Sequence, residues 1–258
     1  STMKTIVVAN QKGGVGKTTL AVHLACRAHE RGARVLMIDL DSQASLTRYF
    51  DGAGQGGDTA AAASLFNGSA YAPDTLTERL ALLRADIRLT DADKADALAA
   101  GRHLRAALRA VGAGYDVCVI DTPPGGGSLL FGGLAGANAV VIPTSTGRME
   151  LDGAQAVSQT IDKVRQSANP QLQVLGIQPV KINSRSAVSL ARLHALRVAH
   201  GAAVLPDVLM QRNAVQRAAD AGRIVWLGTK GSSHLAAARE WQRACDSILD
   251  KAGVQQNG

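Results

Sequence analysis

The sequence predicts an α/β fold, a mainly parallel twisted sheet with helices on both faces, and three observations carry that prediction. Short apolar runs rich in β-branched residues recur at 5–9, 35–38, 117–120, 139–143 and 174–177, with the length and composition of strands buried on both faces. Between them lie stretches whose apolar residues return at helical spacing, such as Leu20, Ala21, Leu24, Ala25 and Ala28. A glycine-rich loop joins the first strand to the first helix. Strands alternating with helices imply right-handed βαβ units. At 258 residues, one domain over 1–258 is expected, with ample chain for a large core.

The first strand leads into Lys12-Gly13-Gly14-Val15-Gly16-Lys17-Thr18-Thr19. Glycines let the backbone curl so that successive N–H groups face inward, and the following helix N-terminus adds about half a positive charge. Both features favour an anion, and a polyphosphate fits best. The strand–loop–helix context is what a P-loop requires. Gly13, Gly14, Val15, Gly16, Lys17, Thr18 and Thr19 are therefore expected to bind nucleotide. Lys17 should reach the terminal phosphates, and the Thr18 hydroxyl should be a Mg²⁺ ligand. The helix should stop at Gly32, a suitable C-cap.

A second strand ends in Asp39-Leu40-Asp41-Ser42-Gln43. Ligand groups of open α/β sheets gather at the C-terminal ends of strands, so these carboxylates should lie beside the glycine loop. Residues 51–64 are rich in Gly, Ala and Asp and read as a mobile surface excursion. A strand is expected around 80–83, then a solvated amphipathic helix over 91–112. The strand before Asp121-Thr122-Pro123-Pro124-Gly125 ends in an aspartate, as a Walker B element does, with Asp121 placed to hold Mg²⁺ through a water. Its prolines restrict the backbone, whereas Gly125-Gly126-Gly127 permits a hinge.

After the strands at 139–143 and 174–177, flanking an amphipathic helix over 151–167, the chain turns basic. Arg185 and Arg192 are seven apart and would share a face on one helix. Asn213 and Gln216 have the spacing of a capping box, opening a short helix that carries Arg217 and ends near Gly222. The last helix, expected from about His234 to Lys251, puts Trp241, Ala244, Cys245 and Ile248 on one stripe. Its mixed-charge opposite face disfavours a membrane-surface helix and predicts docking onto the sheet.

The net charge is +7, unevenly placed: residues 1–147 carry 14 cationic against 13 acidic side chains, residues 148–258 carry 14 against 8. A basic C-terminal part points to a polyanion, nucleic acid before membrane. Few aromatics are available for stacking on single strands, which favours duplex. Cys26, Cys118 and Cys245 are few and far apart, arguing for reduced thiols in a cytoplasmic protein rather than a disulfide framework or thiolate cluster. The six histidines lack ligand-like spacing. No run approaches the roughly 18 apolar residues of a membrane span. Ser1 and Thr2 ahead of Met3 read as a cloning remnant, no signal peptide precedes the first strand, and 253–258 reads as a flexible tail.

Lys-Gly-Gly-Val-Gly-Lys-Thr over 12–18 resembles the deviant Walker A motif of the ParA/MinD family of P-loop ATPases, and the resemblance extends from about Lys4 to Leu249. It implies a three-layer P-loop sandwich of the SIMIBI type, ATP and Mg²⁺ as cofactors, and weak ATP hydrolysis. It also implies a homodimer in which Lys12 reaches the nucleotide held by the other subunit, neutralising charge on the transferring phosphoryl group. Asp41 falls on the family's water-orienting position in switch I, where Ser42 stands in place of the usual proline, and Asp39 supports the metal shell. The stretch after Asp121 resembles switch II. Asn183 and Pro206 match the adenine-contacting region. Arg185, Arg192, Arg197, Arg212, Arg217 and Arg223 match the region that contacts phosphates of nonspecific double-stranded DNA. The small partition ATPases without an N-terminal helix-turn-helix fit best, implying nucleoid association, a ParB-like partner that stimulates hydrolysis, and plasmid, chromosome or other cargo. A MinD-like membrane-cycling ATPase is the alternative.

Overall fold

The computed structural model describes residues 2–54, 60–228 and 230–255, with 148–150 described by their backbone alone. Seven strands form one sheet: β1 (Lys4–Val8), β2 (Val35–Asp39), β3 (Asp74–Thr77), β4 (Leu80–Leu83), β5 (Val117–Asp121), β6 (Ala139–Thr144) and β7 (Gln173–Pro179). Their spatial order is β3-β4-β2-β5-β1-β6-β7. All neighbours pair in parallel except the edge hairpin of β3 and β4. Nine α-helices are described: α1 (Lys17–Glu30), α2 (Ser45–Tyr49), α3 (Leu89–Ala92), α4 (Ala97–Val111), α5 (Ser128–Gly136), α6 (Arg148–Ser167), α7 (Ala187–His200), α8 (Asn213–Asp220) and α9 (Ser232–Lys251).

The continuous apolar strands feed two cores by strict alternation. Ile6, Val8, Val35, Met37, Val117 and Val119 face the layer that holds α1, α8 and α9. Val7, Leu36, Ile38, Cys118 and Ile120 face the opposite layer, with α4, α5 and α6. A period of two places successive side chains on opposite faces, so a strand buried on both must be apolar throughout. The predicted three-layer architecture is the one observed.

Helix α1 ends at Glu30 and is closed by Gly32 as expected: Gly32 at φ 90° makes a Schellman turn in which the Ala33 amide donates to the Ala28 carbonyl and the Gly32 amide to His29, satisfying two carbonyls that the helix end would leave unpaired. Several local expectations change. The single helix expected over 91–112 is split, because the Asp96 carboxylate accepts the Ala99 amide at 2.7 Å and so opens α4. Helix α4 is half-buried rather than solvated, with Ala100, Leu104 and Leu108 in the core. Of the excursion at 51–64, residues 51–54 form an exposed turn and 55–59 lie outside the described residues. Residues 60–64 are buried, since the Ala62 amide donates to Arg84 and the Arg84 amide to Ala60 along β4. Helix α5 is unpredicted; the hinge glycines 125–127 precede it, and its own glycines lie at 132, 133 and 136. They let it approach α4 closely, a Cβ on Gly132 lying 3.4 Å from Ala100.

The capping box at Asn213 does not form: Arg212 occupies the N-cap without a side-chain cap, and Gln216 donates to Asp220. Helix α9 docks as expected, with Trp241, Ala244, Cys245 and Ile248 buried, and its polar side is tied to α1 by Arg27–Asp246 at 2.8 Å and Arg31–Asp250 at 2.6 Å. Of the expected tail, 253–254 is docked, the Val254 carbonyl accepting from Arg31 at 2.9 Å. Residue 1 and residues 256–258 lie outside the description. No described helix is long and apolar enough to cross a membrane.

Candidate nucleotide site

Strand β1 sits where the connections diverge, α1 leading across β5 to β2 while β6 and β7 lie on the other side. The loops after β1, β2 and β5 therefore open into one crevice at the strands' C-terminal ends. The glycine loop occupies it. Gly14 and Gly16 have φ of 75° and 95°, a backbone that L side chains rarely adopt, and Gly16 is the N-cap of α1. Thus the first turn of α1, which contains no acidic residue, opens directly onto the loop with its positive dipole end uncompensated.

The loop is held from outside by residues that sequence reasoning missed. Asn10, buried at the end of β1, accepts the Lys12 amide on Oδ1 at 2.8 Å and donates through Nδ2 to the Pro143 carbonyl at 3.0 Å. The Gln11 carbonyl accepts the Gly125 amide at 2.8 Å, linking the loop to the glycines after Asp121, and the Gln11 amide group donates to Thr160 on α6. Gly153 of α6 abuts the loop so tightly that a Cβ would lie 2.4 Å from Asn10 Oδ1 and 2.9 Å from the Lys12 nitrogen. Asp93, ahead of α4, starts α5 by accepting the Leu129 amide at 2.9 Å. A polar residue closing a buried strand, as Asn10 does, was the one available signal. Gly153 and Asp93 had none, because their partners are remote in sequence.

Lys17 is buried, and its ammonium donates to the Lys12 carbonyl at 2.8 Å, curling back under the loop. Burial lowers its pKa, opposed by the charges of Asp121 and Asp41. A phosphate beside it would favour the charged form. Asp39 and Asp121 stand opposite each other in the β2–β5 register, both fully buried. Burial first, and Asp39 next, push the Asp121 carboxyl far above the usual carboxylate range. The Thr18 hydroxyl donates to Asp121 Oδ2 at 2.6 Å, whereas Oδ1 is buried without a hydrogen-bond partner. A hydroxyl beside a carboxylate with one bare oxygen suits a hard cation that keeps its waters, as Mg²⁺ does. No cluster of three or more His, Cys, Asp or Glu able to hold a metal occurs among the described residues, so other oxygens would have to come from phosphate and water.

Asp39 faces the other way. Its Oδ1 accepts the Asp41 amide at 3.1 Å, and its Oδ2 accepts the Thr47 amide at 2.9 Å and the Thr47 hydroxyl at 2.8 Å. One oxygen is engaged by the loop that follows β2 and the other by α2, so Asp39 ties these two together, a different geometry from the expected metal support. Its carboxyl is pushed up to about 6, by burial first, with the Thr47 hydrogen bonds opposing. Asp41 is partly exposed at the mouth of the crevice, its Oδ1 accepting the Gln43 amide at 3.0 Å. It does not cap α2: Ala44, at φ 56°, occupies that position.

Asn183 and Pro206 follow β7 and the extended segment beside it. Asn183 Oδ1 accepts the Arg185 amide at 3.0 Å, and the Pro206 carbonyl accepts from Arg197 at 3.3 Å. Arg185 precedes α7, whose N-cap is Ser186, so it does not share a helix face with Arg192. Arg185, Arg217 and Arg223 are exposed and have no ion-pair partner among the described residues, and Arg192 contacts only the Thr146 carbonyl. Arg212 departs from expectation, because its guanidinium grips both oxygens of Glu240 on α9 and offers no free charge.

A family model described as an AAA domain matches residues 3–174. Protein IncC of Escherichia coli is 33% identical over 262 residues, covering 98% of this chain and 71% of its own. The chromosome-partitioning ATPase Soj of Thermus thermophilus is 31% identical over 86% of this chain and 87% of its own. Among solved structures, the ATP complex of McdA from Cyanothece superposes with a TM-score of 0.84 at 20% identity, covering 99% of this chain and 98% of that one. At that identity the likeness speaks for the fold.

Proposed function

This chain belongs to the ParA/MinD family of P-loop ATPases and is an ATP-hydrolysing enzyme of the partition or positioning type, and from that premise we propose that ATP joins two copies into a dimer that binds nonspecific duplex DNA. Hydrolysis then parts the copies and releases the DNA, so that gradients of bound protein position a plasmid, a chromosome or another cargo. A ParB-like protein is the expected stimulator of hydrolysis.

The observation that carries the reading is the setting of Lys12. Its amide and carbonyl are both tied, to Asn10 and Lys17, while its ammonium has no hydrogen-bond or ion-pair partner among the described residues. A cation anchored at its root and unpaired at its tip, on the rim of a phosphate loop, suits an anion outside its own subunit. Within the subunit, the loop amides and the first turn of α1 hold the phosphates and Lys17 supplies charge at their far end. Thr18 and Asp121 would hold Mg²⁺, which when bound would neutralise negative charge on the phosphates. Asp41, free on the crevice side apart from its own turn, orients the attacking water, and Asp39 keeps Asp41 in place through its amide.

The polar side of α9 supports DNA over membrane. Its ion pairs to α1, together with Arg212–Glu240 and Arg243–Asp207, fasten the helix to the body, while its apolar face is in the core. The uncompensated arginines at 185, 192, 217 and 223 offer charge without base-reading geometry. Light scattering and gel shifts on random duplex DNA, with ATP, ADP or no nucleotide, test the reading together. Dimer and shift should appear with ATP alone, and Lys12→Ala should keep ATP binding while losing both. DNA affinity indifferent to nucleotide would overturn the account.

A further inference from the structure

Lys181, two residues beyond β7, adopts a left-handed backbone at φ 53° although it is not glycine. Non-glycine residues hold that conformation only where the surroundings over-determine it, often at ligand sites. Here the surroundings are specific. The next residue, Ile182, is locked on both sides: its amide donates to Leu209 at 3.2 Å and its carbonyl accepts from Gln211 at 2.8 Å. The turn at Lys181 aims its side chain away from that pairing and across to the glycine loop. Its ammonium donates to the Gly14 carbonyl at 2.5 Å, and its Cε lies 3.9 Å from where a Cβ on Gly16 would sit.

The side of approach matters. Lys17, Thr18 and Asp121 mark the end of the loop nearest β5, where terminal phosphates and Mg²⁺ belong. Lys181 arrives from β7, two strands from β1 in the opposite direction. A nucleotide whose last phosphates lie at Lys17 must lead its nucleoside away from β5, towards the end of β7 and the segment 205–210 that runs beside it. The alkyl stem of Lys181 spans that exit, with its head fastened to Gly14 instead of to an acidic side chain. Long cationic side chains present apolar stems to flat apolar groups in this way.

We propose that Lys181 is a positioning residue for the nucleoside part of the nucleotide: its ammonium pins the Gly14 carbonyl, and its stem forms one wall of the slot where ribose and base leave the loop. This rests on the ATP-binding reading above. Titration calorimetry with ATP and with inorganic triphosphate, on the full chain, separates the two parts of the ligand. Lys181→Ala should weaken ATP binding about tenfold, and triphosphate binding less than about twofold. Lys181→Met, which keeps most of the stem, should fall between wild type and Ala for ATP. Equal losses for both ligands would mean that Lys181 acts only through charge or loop folding, and unchanged ATP binding would remove it from the site; either result overturns the proposal. A wild-type chain that binds triphosphate but not ATP would also overturn it. Binding of neither ligand by wild type would instead defeat the ATP reading on which it rests. Melting curves without ligand check that both variants are folded.

Discussion

His23 and Val225, 202 residues apart, are joined by a buried hydrogen bond of 3.0 Å in which the Val225 amide donates to His23 Nε2. Because Nε2 accepts, the proton sits on Nδ1, which donates to the Thr19 carbonyl at 2.6 Å in the first turn of α1. Trp226 and Trp241 flank the ring at centroid distances of 5.2 and 4.4 Å. One neutral imidazole thus connects the helix that opens the phosphate loop with the segment that carries Arg223. Burial lowers its pKa from 6.5 to about 4. The unfolded chain therefore binds a proton between these values that the folded chain refuses, so this contribution to stability is full above pH 6.5 and is lost as pH falls towards 4. It amounts to about 3 kcal/mol. Urea denaturation at pH 7 and pH 5 should show wild type losing more stability than His23→Leu over that step; equal losses would rule out the imidazole as the acid-sensitive group.

Gly153 should be intolerant of a methyl group. A Cβ there meets Asn10 Oδ1 and the Lys12 backbone, neither of which can retreat without releasing the 2.8 Å bond that orients Lys12. Gly153→Ala should cost about 1–3 kcal/mol in stability and weaken nucleotide binding. At Gly126 the neighbour is the flexible end of Gln11 at 3.0 Å, so Gly126→Ala should fall within about 0.5 kcal/mol of wild type. Thermal melts and fluorescent-nucleotide titrations of the two variants make the comparison.

Replacing Asp41 by Ala should preserve ATP binding and lower the rate of phosphate release about 100-fold or more, leaving the protein on DNA. The fold should survive the change, because the Asp41 amide donates to Asp39 and its carbonyl accepts from Ala44, both backbone groups that alanine keeps, while the hydrogen bond made by its carboxylate is to the Gln43 amide. Normal turnover would give the water-orienting role to another residue.

The arginines divide by whether their charge is already satisfied. Removing Arg217 and Arg223 together should weaken binding to every duplex sequence alike and reduce the slope of log K against log salt by about 2. Arg212→Ala should leave that slope unchanged and lower stability, since it strands Glu240, whose side chain is 16% exposed. Binding isotherms at several salt concentrations distinguish them, and a slope change for Arg212 with none for the pair would relocate the interface.

Much of the site was legible because it is local. Gly13 to Thr19 fall within one strand–loop–helix unit, and Asp39 and Asp121 end strands whose apolar runs announce them. What stayed hidden depends on contacts between residues far apart in the chain. The lysines at 12 and 181 read alike, as do the arginines at 212 and 217, yet Lys12 is tied at its root, Lys181 is fastened to Gly14, Arg212 is gripped by Glu240 and Arg217 has no ion-pair partner among the described residues. Asp39 reads as a metal carboxylate until Thr47 is seen to hold it.

The α/β class, the alternation of strands and helices, and the phosphate loop can be read from the chain alone, because hydrophobic period and backbone stereochemistry act over a few neighbouring residues. Which charges are unpaired, which glycines are crowded and which carboxylate oxygen is bare follow from packing between distant segments. Those properties arise when β1, β5, β7 and α6 converge, and no stretch of chain contains them.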